Sequence, residues 1–571
     1  MANNRLTIAV DFGTTYSGVA YSNPSDESKD PILIKDWGSG PTSDKVPTVL
    51  RYNGSDKIGG VLGMKWGFEV KHHERRQEWF KLALDPMIYK AENCVDMTQS
   101  YEHDLADPPD YSRSATKMCT DYLTALRKQT QKALEKSYGA SALRTRQIDW
   151  VITVPAVWSM KAKADTLKCA QEAGIGAGSK VTIVSEPEAA AAYALQTIEP
   201  MTLKEGHNFV VCDAGGGTVD LITYRLLNLS PLEVEESAIS SGGKCGGTFV
   251  NRIFEKMVMQ RIGEKSGLTD IGKHQMLQQF EQDAKRDFQD TGDPNEAWYL
   301  PVPGAANSSS ARISGGSLIV SVADMKKCFD PVVDEVIKLV NTQISGIVGP
   351  SKEVKAVVLV GGFGGSRYLQ QRLRDAIAPI ELLCPANQWG AIALGAVIQS
   401  VASRVSAPVG NWSVTTRKAT SSMGVEIRMP FNKALHHESR KYWCPIEAKS
   451  MCHGLMQWFV ERGHNLSSKE PKVYPFYRHI RSNASLKITT ATQYSLSEMA
   501  PMYSDISIRK HTALKVDLTP VKHKLTKMIG ADKKEYYRIN YDILATFHSA
   551  HIEYQWRYAG QVFGTVNCNY I

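Results

Sequence analysis

Two segments of the chain place an acidic residue, glycines and threonines directly after an apolar strand. The first segment covers 6–18 and the second covers 209–220. Glycine lets the backbone turn tightly enough to point N–H groups at an anion, and carboxylates suit the hydrated divalent cation that accompanies nucleotide phosphates. The sequence therefore predicts a phosphate-binding turn in each segment. The residues that carry this chemistry are Asp11, Gly13, Thr14, Thr15, Asp213, Gly215, Gly216, Gly217 and Thr218.

One glycine-rich turn taken alone is also compatible with a hairpin that binds no ligand, because short glycine motifs recur by accident. Repetition argues against that alternative. The two segments lie about 200 residues apart, and a third turn at 357–367 again follows a β-branched strand. We therefore expect two related lobes that close on one phosphate group. The third turn contains Gly361, Gly362 and Ser366.

Length and composition indicate a soluble protein of two or three domains. The 571 residues are 43% hydrophobic and 22% charged. A chain of this length is too long to fold around one hydrophobic core. No apolar run approaches the roughly 18 residues of a membrane span, and no secretory signal precedes the first strand. The ten cysteines contain no C-x-x-C pair, so neither a zinc site nor a disulfide scaffold is indicated. We expect a cytoplasmic protein.

The net charge of +8 is distributed unevenly along the chain. Residues 401–571 carry 24 Lys and Arg against 12 Asp and Glu, whereas residues 1–400 carry 43 against 47. This asymmetry supports a domain boundary near residue 400. A basic C-terminal part is compatible with acidic partners, nucleic acid or anionic lipid. Its charges are dispersed, however, which favours a solvated surface, and we expect no specific binding of nucleic acid.

Strands and helices alternate over residues 1–400, which predicts α/β layers with parallel buried strands. Beyond this point alternating, β-rich segments predominate, although 433–449 fits no assignment. We predict an α/β domain over 1–400, a linker over 401–410 and a β-rich domain over 411–571. Helices are predicted at 114–138, 160–173, 186–195, 249–265, 273–289, 330–344, 367–377 and 390–400.

The order of these motifs resembles the ATPase domain of the heat-shock protein 70 (DnaK-like) family, within the actin and sugar-kinase superfamily. The resemblance implies a two-lobed actin-like ATPase domain with ribonuclease H-like halves, and a C-terminal domain that is a degenerate substrate-binding domain. It is closest to a divergent cytosolic branch of the family. The matching segments are 8–17 and 213–220 for the phosphate loops, 151–156 for a connecting strand, 184–193 for a helix and 358–362 for the adenosine loop.

The resemblance also implies a role for each matching residue. Asp11 and Asp213 would hold the water shell of Mg²⁺. Lys81 would act on the attacking water and the γ-phosphate of ATP, and Glu186 would orient metal-bound water beside the catalytic Asp213. The residues implied to contact phosphates are Gly13, Thr14, Thr15, Tyr16, Gly215, Gly216, Gly217 and Thr218. The residues implied to contact adenine and ribose are Lys285, Arg286, Gly361, Gly362 and Ser366.

Each implied side chain also has a purely structural interpretation. A single carboxylate is equally compatible with a helix N-cap or a turn. Glu186 precedes Pro187, where it would stabilise a helix N-terminus. Lys81 is also compatible with a solvated lysine beside aromatic residues. Only the joint order of the motifs favours the functional roles.

We expect an ATP- and ADP-binding, slowly ATP-hydrolysing chaperone-like protein, with unfolded client proteins and nucleotide-exchange co-chaperones as partners. Two alternatives remain: a nucleotide-switched scaffold or signalling protein without foldase activity, and a small-molecule kinase that uses Asp213 as a base. Three of the places where the sequence departs from the family pattern lie within residues 246–410. Segment 400–410 is neither acidic nor leucine-rich, Trp389 stands where aspartate is usual, and 246–248 lacks the family's acidic pair.

Overall fold

The chain divides into two compact units, Met1–Ser413 and Val414–Ile571. The computed structural model describes residues 5–22, 30–52, 63–71, 74–86, 94–96, 113–179, 181–198, 203–263, 267–348, 353–403, 412–467, 471–547 and 552–567. The predicted linker lies mostly outside these residues. The predicted boundaries 1–400, 401–410 and 411–571 therefore stay a prediction.

The first unit contains two lobes, and lobe I is built by the first part of the chain. Its principal sheet has the strand order β10-β9-β1-β2-β3, with β4 also paired to β2. Strands β9 and β10 run parallel to β1, whereas β1 and β2 form an antiparallel hairpin. The elements from residue 5 to residue 185 are β1 (Arg5–Asp11), β2 (Tyr16–Tyr21), β3 (Ile32–Leu33), β4 (Lys45–Pro47), β5 (Val49–Tyr52), β6 (Met64–Trp66), β7 (Gln77–Glu78), β8 (Cys94–Asp96), α1 (Ala115–Tyr138), α2 (Ala140–Arg144), β9 (Gln147–Val154), α3 (Met160–Glu172) and β10 (Val181–Ser185).

Lobe II repeats this arrangement with the order β18-β17-β11-β12-β13, and β8 also pairs with β13. Strands β17 and β11 are parallel, and β11 forms an antiparallel hairpin with β12. The elements from residue 186 to residue 402 are α4 (Glu186–Thr197), β11 (Asn208–Ala214), β12 (Val219–Leu229), β13 (Leu232–Lys244), α5 (Thr248–Ile262), α6 (Asp270–Gln279), α7 (Lys285–Asp287), β14 (Ala297–Pro301), β15 (Ile313–Ser314), β16 (Ser317–Ser321), α8 (Val322–Ser345), β17 (Val354–Val360), α9 (Arg367–Ile377), β18 (Glu381–Leu383) and α10 (Ala391–Ala402).

Apolar side chains on the strands explain why each lobe has its own core. Strand β11 is buried along its whole length, as expected for a strand covered on both faces. The core of lobe II joins this sheet to α5 and α8, whereas the core of lobe I joins β1 and β9 to α1 and α3. Helices α4 and α10 pack against each other through small buried residues. The α/β fold class predicted for this region is confirmed.

The second unit is formed by strands and two short 3-10 turns within its described residues. One sheet has the order β21-β22-β20-β25-β26, and another has the order β24-β28-β29-β30 with β27 paired to β28. The β-rich character predicted beyond residue 411 is confirmed. The strands are β19 (Trp412–Lys418), β20 (Ser422–Pro430), β21 (Lys441–Cys444), β22 (Lys449–Val460), β23 (Asn465–Ser467), β24 (Lys472–Arg481), β25 (Lys487–Ser495), β26 (Arg509–Asp517), β27 (Thr526–Ile529), β28 (Glu535–Phe547), β29 (Ile552–Tyr558) and β30 (Gln561–Asn567).

Several predicted helix boundaries differ from the boundaries in the structure. The helix predicted at 273–289 is interrupted, because a π-helical turn at Phe280–Ala284 separates α6 from α7. The helix predicted at 330–344 begins eight residues earlier, at Val322, where Ser321 and Asp324 form a capping box. The unassigned segment 433–449 contains a 3-10 turn and strand β21. Among the described helices, none is long and apolar enough to cross a membrane.

Candidate functional site

The two glycine turns occupy equivalent places in the two lobes. Each turn joins the strands of a hairpin, and the predicted aspartate is the last residue of β1 and the second-last residue of β11. Asp11 pairs with Gly18 in the register of the first hairpin, and Asp213 pairs with Asp220 in the second. Both aspartates are buried, at 2% and 5% exposure. The fold therefore places two buried carboxylates at matching ends of two related hairpins.

The two turns face each other at close range. A Cβ atom added to Gly216 would overlap the hydroxyl of Thr15, and one added to Gly217 would lie 2.7 Å from Cγ2 of Thr14. Glycine is therefore required at these positions, since any side chain would push the turns apart. The predicted residues of the two turns are brought together in one cleft.

The turn in lobe II is supported from behind by the N-terminus of α5. The backbone N–H and the hydroxyl of Thr248 both donate to the carbonyl of Gly216, at 2.8 and 2.7 Å. The N–H of Gly247 donates to the carbonyl of Gly215 at 3.1 Å. Segment 246–248, which lacks the acidic pair of the family, thus fixes the shape of the turn through backbone contacts.

Two buried ion pairs lie beside the turns. Lys45 Nζ is 2.6 Å from Asp11 Oδ2, and Lys81 Nζ is 2.7 Å from Glu186 Oε1. The hydroxyl of Thr153 lies 3.3 Å from the other oxygen of Asp11. Each pair joins a lysine from one part of the chain to a carboxylate at the end of another element. Lys81 and Glu186 are therefore partners, whereas the sequence indicated a separate role for each.

The carboxylates outnumber the lysines at this place. Glu186 and Asp213 have pKa values above the usual range, chiefly because burial disfavours their charged forms. Burial, with the nearby Glu186 charge, raises the pKa of Asp220 to about 7. Asp213 Oδ1 is buried and has no hydrogen-bond partner among the described residues. A cation bound here would stabilise the charged forms of these buried carboxylates.

The donor set fits a hydrated Mg²⁺ better than a directly bound metal. Within the described part of the chain, no group of three His, Cys, Asp or Glu side chains is arranged to hold a metal ion. Mg²⁺ keeps several of its waters in proteins and needs only one or two carboxylates. Asp11 and the unpaired oxygen of Asp213 meet that requirement.

The third glycine turn packs against the second. Gly361 has a φ of 87°, and a Cβ at this position would lie 2.5 Å from Asp213 Oδ1. The N–H groups of Phe363 and Gly364 donate to the carbonyl of Ala214 at 2.9 and 3.1 Å. Gly361 therefore lies against the catalytic candidate Asp213. Gly362 is exposed, and a Cβ there would lie 3.2 Å from Nε1 of Trp389.

The other residues predicted to contact adenine and ribose are Lys285, Ser366 and Arg286, and the first two make contacts within the protein. Lys285 Nζ donates to the carbonyl of Gly247 at 2.7 Å, and burial lowers the pKa of Lys285 to about 8. Ser366 is buried and caps α9 by accepting from the N–H of Leu369 at 3.4 Å. Arg286 is exposed on the short helix α7. Lys285 is thus connected to the second turn through segment 246–248.

The sequence did not identify Lys45, Thr153, Trp158 and Trp389 as residues of this site. Lys45 and Thr153 contact Asp11, while the ring of Trp158 lies 5.2 Å from Lys81 Nζ. The ring of Tyr16 packs edge-on against Trp389 with a centroid separation of 5.5 Å. No pattern among neighbouring residues indicates these contacts, because the partners are far apart along the chain. The family departure at Trp389 was the one available sign of its position.

The chain is similar to known proteins of one family. A family model described as Hsp70 protein matches residues 103–435, which include the second and third glycine turns. Heat shock 70 kDa protein 12A of Homo sapiens is 24% identical over 478 residues, covering 69% of this chain and 69% of that protein. Heat shock 70 kDa protein 12B of Homo sapiens is 24% identical over 537 residues, covering 78% and 75%. A chaperone protein HscA homolog of Chromobacterium violaceum is 24% identical, covering 70% of this chain and 58% of that protein.

Proposed function

The chain belongs to the Hsp70 protein family, and on this premise we propose that it binds ATP and ADP with Mg²⁺ between its two glycine turns. We further propose that it hydrolyses ATP slowly, as a chaperone-like protein. The observation that carries the proposal is the close approach of Gly216 and Gly217 to Thr15 and Thr14 beside the unpaired oxygen of Asp213.

The residues of the cleft have distinct parts in this proposal. Phosphoryl transfer needs charge neutralisation and an aligned nucleophile more than covalent help from the protein. Asp11 and Asp213 would hold hydrated Mg²⁺, which neutralises phosphate charge when it is bound. The backbone of the two turns binds phosphate oxygens. Lys81, fixed by Glu186 at 2.7 Å, supplies a positive charge that acts on the attacking water and the γ-phosphate.

Isothermal titration with ATP and ADP, with and without Mg²⁺, tests nucleotide binding. We expect Gly216→Ala to weaken ADP binding at least about 100-fold, because its Cβ displaces Thr15. Asp213→Asn should abolish the dependence of binding on Mg²⁺. Gly346→Ala is the matched control, since a Cβ there meets its nearest atom at 3.4 Å and lies at the end of α8. Binding by both cleft variants that equals that of the native chain would refute the proposal.

The same nucleotide site is compatible with a scaffold that has no foldase activity. Segment 400–410, between the two predicted domains, is neither acidic nor leucine-rich, unlike the linker of the main chaperones that the family resemblance implies. Measurement of client aggregation separates the two functions. ATP-dependent suppression of the aggregation of an unfolded client supports the chaperone function and excludes the scaffold. We also propose a cytoplasmic location, with client proteins and nucleotide-exchange co-chaperones as partners.

A further inference from the structure

A short segment, residues 387–390, lies between strand β18 and helix α10 and packs beside the third glycine turn. We call it the bridging segment. The carbonyl of Gln388 accepts from the N–H of Gly361 at 3.0 Å, and Gln388 Nε2 donates to the carbonyl of Leu359 at 3.0 Å. These two hydrogen bonds fix the bridging segment to lobe II, at the end of β17 and the start of the third turn.

The bridging segment also contacts lobe I. Asn387 Nδ2 donates to Asp44 Oδ2 at 3.3 Å, and Asp44 directly precedes Lys45, which pairs with the carboxylate of the first turn. A Cβ atom added to Gly390 would lie 2.7 Å from Cδ1 of Leu33 in β3. The bridging segment is therefore in contact with both lobes at once.

Trp389 places its ring between two residues that are predicted to contact a nucleotide from opposite lobes. Its ring meets the ring of Tyr16 edge-on, with a centroid separation of 5.5 Å and an interplanar angle of 71°. A Cβ atom added to Gly362 would lie 3.2 Å from Trp389 Nε1, so the indole rests against a residue that has no side chain. Tyr16 and Trp389 are both half-buried. The indole thus lies at the edge of the proposed nucleotide site.

The contact between the two rings depends on the position of the lobes. An edge-on pair is attractive because the electropositive edge of one ring meets the electronegative face of the other. Tyr16 belongs to lobe I, whereas Trp389 belongs to a segment that is fixed to lobe II. Separation of the first turn from the third turn, which would let a nucleotide leave, breaks this contact. The ring pair therefore opposes opening of the cleft.

We propose that Trp389 is a positioning residue that retains ADP in the cleft, because its ring holds the third turn of lobe II against the first turn of lobe I. The proposal rests on the nucleotide binding proposed for this cleft. Trp389 acts through Tyr16 and Gly362, so its loss should change the dissociation rate of ADP more than the association rate. Because product release limits the turnover of many enzymes, Trp389 would also limit the turnover of ATP.

Dissociation of radiolabelled ADP from the full-length protein, chased with excess unlabelled ADP in the presence of Mg²⁺, tests the proposal. We expect Trp389→Ala to release ADP at least about 10-fold faster than the native chain. Trp389→Phe should release ADP within a factor of about three of the native rate, because a ring still meets Tyr16. Trp298→Ala is the matched control and should keep the native rate. Trp298 is half-buried and meets Phe288 edge-on, also with a centroid separation of 5.5 Å.

The outcomes separate this proposal from the proposed function. A native chain that binds no ADP refutes both. A native chain that binds ADP, together with release from Trp389→Ala at the native rate, overturns the role of Trp389 alone. Equal acceleration in Trp389→Ala and Trp298→Ala also overturns it, since loss of packing would then explain the effect. Release from Trp389→Phe as fast as from Trp389→Ala would exclude the ring contact as the cause.

Fluorine NMR gives a second measurement that does not depend on the alanine variant. The 11 tryptophans of the native chain are replaced by fluorotryptophan during expression. The signal that is missing from Trp389→Phe is assigned to Trp389, and the signal missing from Trp298→Phe is assigned to Trp298. We expect saturation with ADP to shift the Trp389 signal and to leave the Trp298 signal in place. A Trp389 signal that ADP does not shift overturns the proposal.

Discussion

The buried ion pair between Lys81 and Glu186 couples two residues of the cleft that are far apart along the chain. The side chains are 2% and 6% exposed, and the Lys81 ammonium also lies 5.7 Å from the ring of Phe12. Burial raises the pKa of Glu186, while the Lys81 charge opposes that rise. Neither residue can therefore be removed alone without leaving the other charge buried and uncompensated.

We predict that Lys81→Met lowers the free energy of unfolding by about 3 kcal/mol, because Glu186 loses its partner. ATP hydrolysis should fall about 100-fold. The double variant Lys81→Met/Glu186→Gln should regain at least half of the lost stability, as expected for coupled residues. Urea unfolding and a steady-state hydrolysis assay give both quantities.

The control for this prediction is Lys136→Met, which removes an exposed ion pair with Asp36. Exposed pairs of this kind contribute little, so we expect neither stability nor hydrolysis to change measurably. Equal losses of stability in the Lys81 variant and in the double variant would contradict the assigned coupling.

At the scale of elements, segment 79–84 connects the two lobes and carries Lys81 between them. Trp79 and Leu82 belong to the core of lobe II, whereas Phe80 and Leu84 belong to the core of lobe I. Trp79 is 2% exposed and has a φ of 63°, an uncommon conformation for a bulky residue. Its ring lies 3.8 Å from the guanidinium of Arg252 and packs against Phe249. The segment thus sets where Lys81 lies relative to lobe II.

We predict that Trp79→Ala slows ATP hydrolysis at least about 10-fold while ADP binding stays within a factor of about three. The cavity should also lower stability by about 3 kcal/mol. Trp79→Phe should restore most of the rate, since an aromatic ring still meets Arg252. Hydrolysis rates and ADP titration check this prediction.

Trp298→Ala provides the comparison, because the ring of Trp298 packs against Phe288 in the same lobe. Trp298→Ala should lower the stability of the protein without selectively lowering the rate of ATP hydrolysis. If Trp79→Ala and Trp298→Ala reduced the rate equally, Trp79 would have only a packing role.

At the scale of the whole molecule, the chain forms two compact units, and the first of them contains the cleft. The second unit has its own buried residues, among them His511. The His511 ring lies within hydrogen-bonding distance of the Tyr554 hydroxyl, at 3.2 Å. Burial lowers the pKa of His511 to about 4. We therefore expect the second unit to respond to acid through this residue.

The depressed pKa means that the unfolded chain binds the proton more tightly than the folded chain between pH 6.5 and pH 4. The second unit should therefore lose roughly 2 kcal/mol of stability between pH 7 and pH 5, and more as the pH falls to 4. His511→Gln should remove most of this loss. Scanning calorimetry at pH 7 and pH 5 measures this loss of stability. A pH dependence that is unchanged in His511→Gln would contradict the prediction. His479, whose pKa burial also lowers, accounts for the residual dependence.

The sequence determined the features that depend on neighbouring residues. A β-branched strand followed by glycine suffices to predict the three turns, and an aspartate near the end of the strand marks the first two. The repetition of this pattern predicted two related lobes. The α/β and β-rich character followed from local periodicity for the same reason. The break at Phe280–Ala284 was not predictable, because no proline or glycine marks it.

Only the tertiary structure decided which charges are paired. Lys45 and Asp11 are separated by 34 residues, and Lys81 and Glu186 by 105. Such contacts depend on how the strands and helices pack, which no local pattern encodes. The same is true of the approach of Gly216 to Thr15. Glycine motifs indicated where phosphate could bind, and packing of the two lobes brought those motifs together in one cleft.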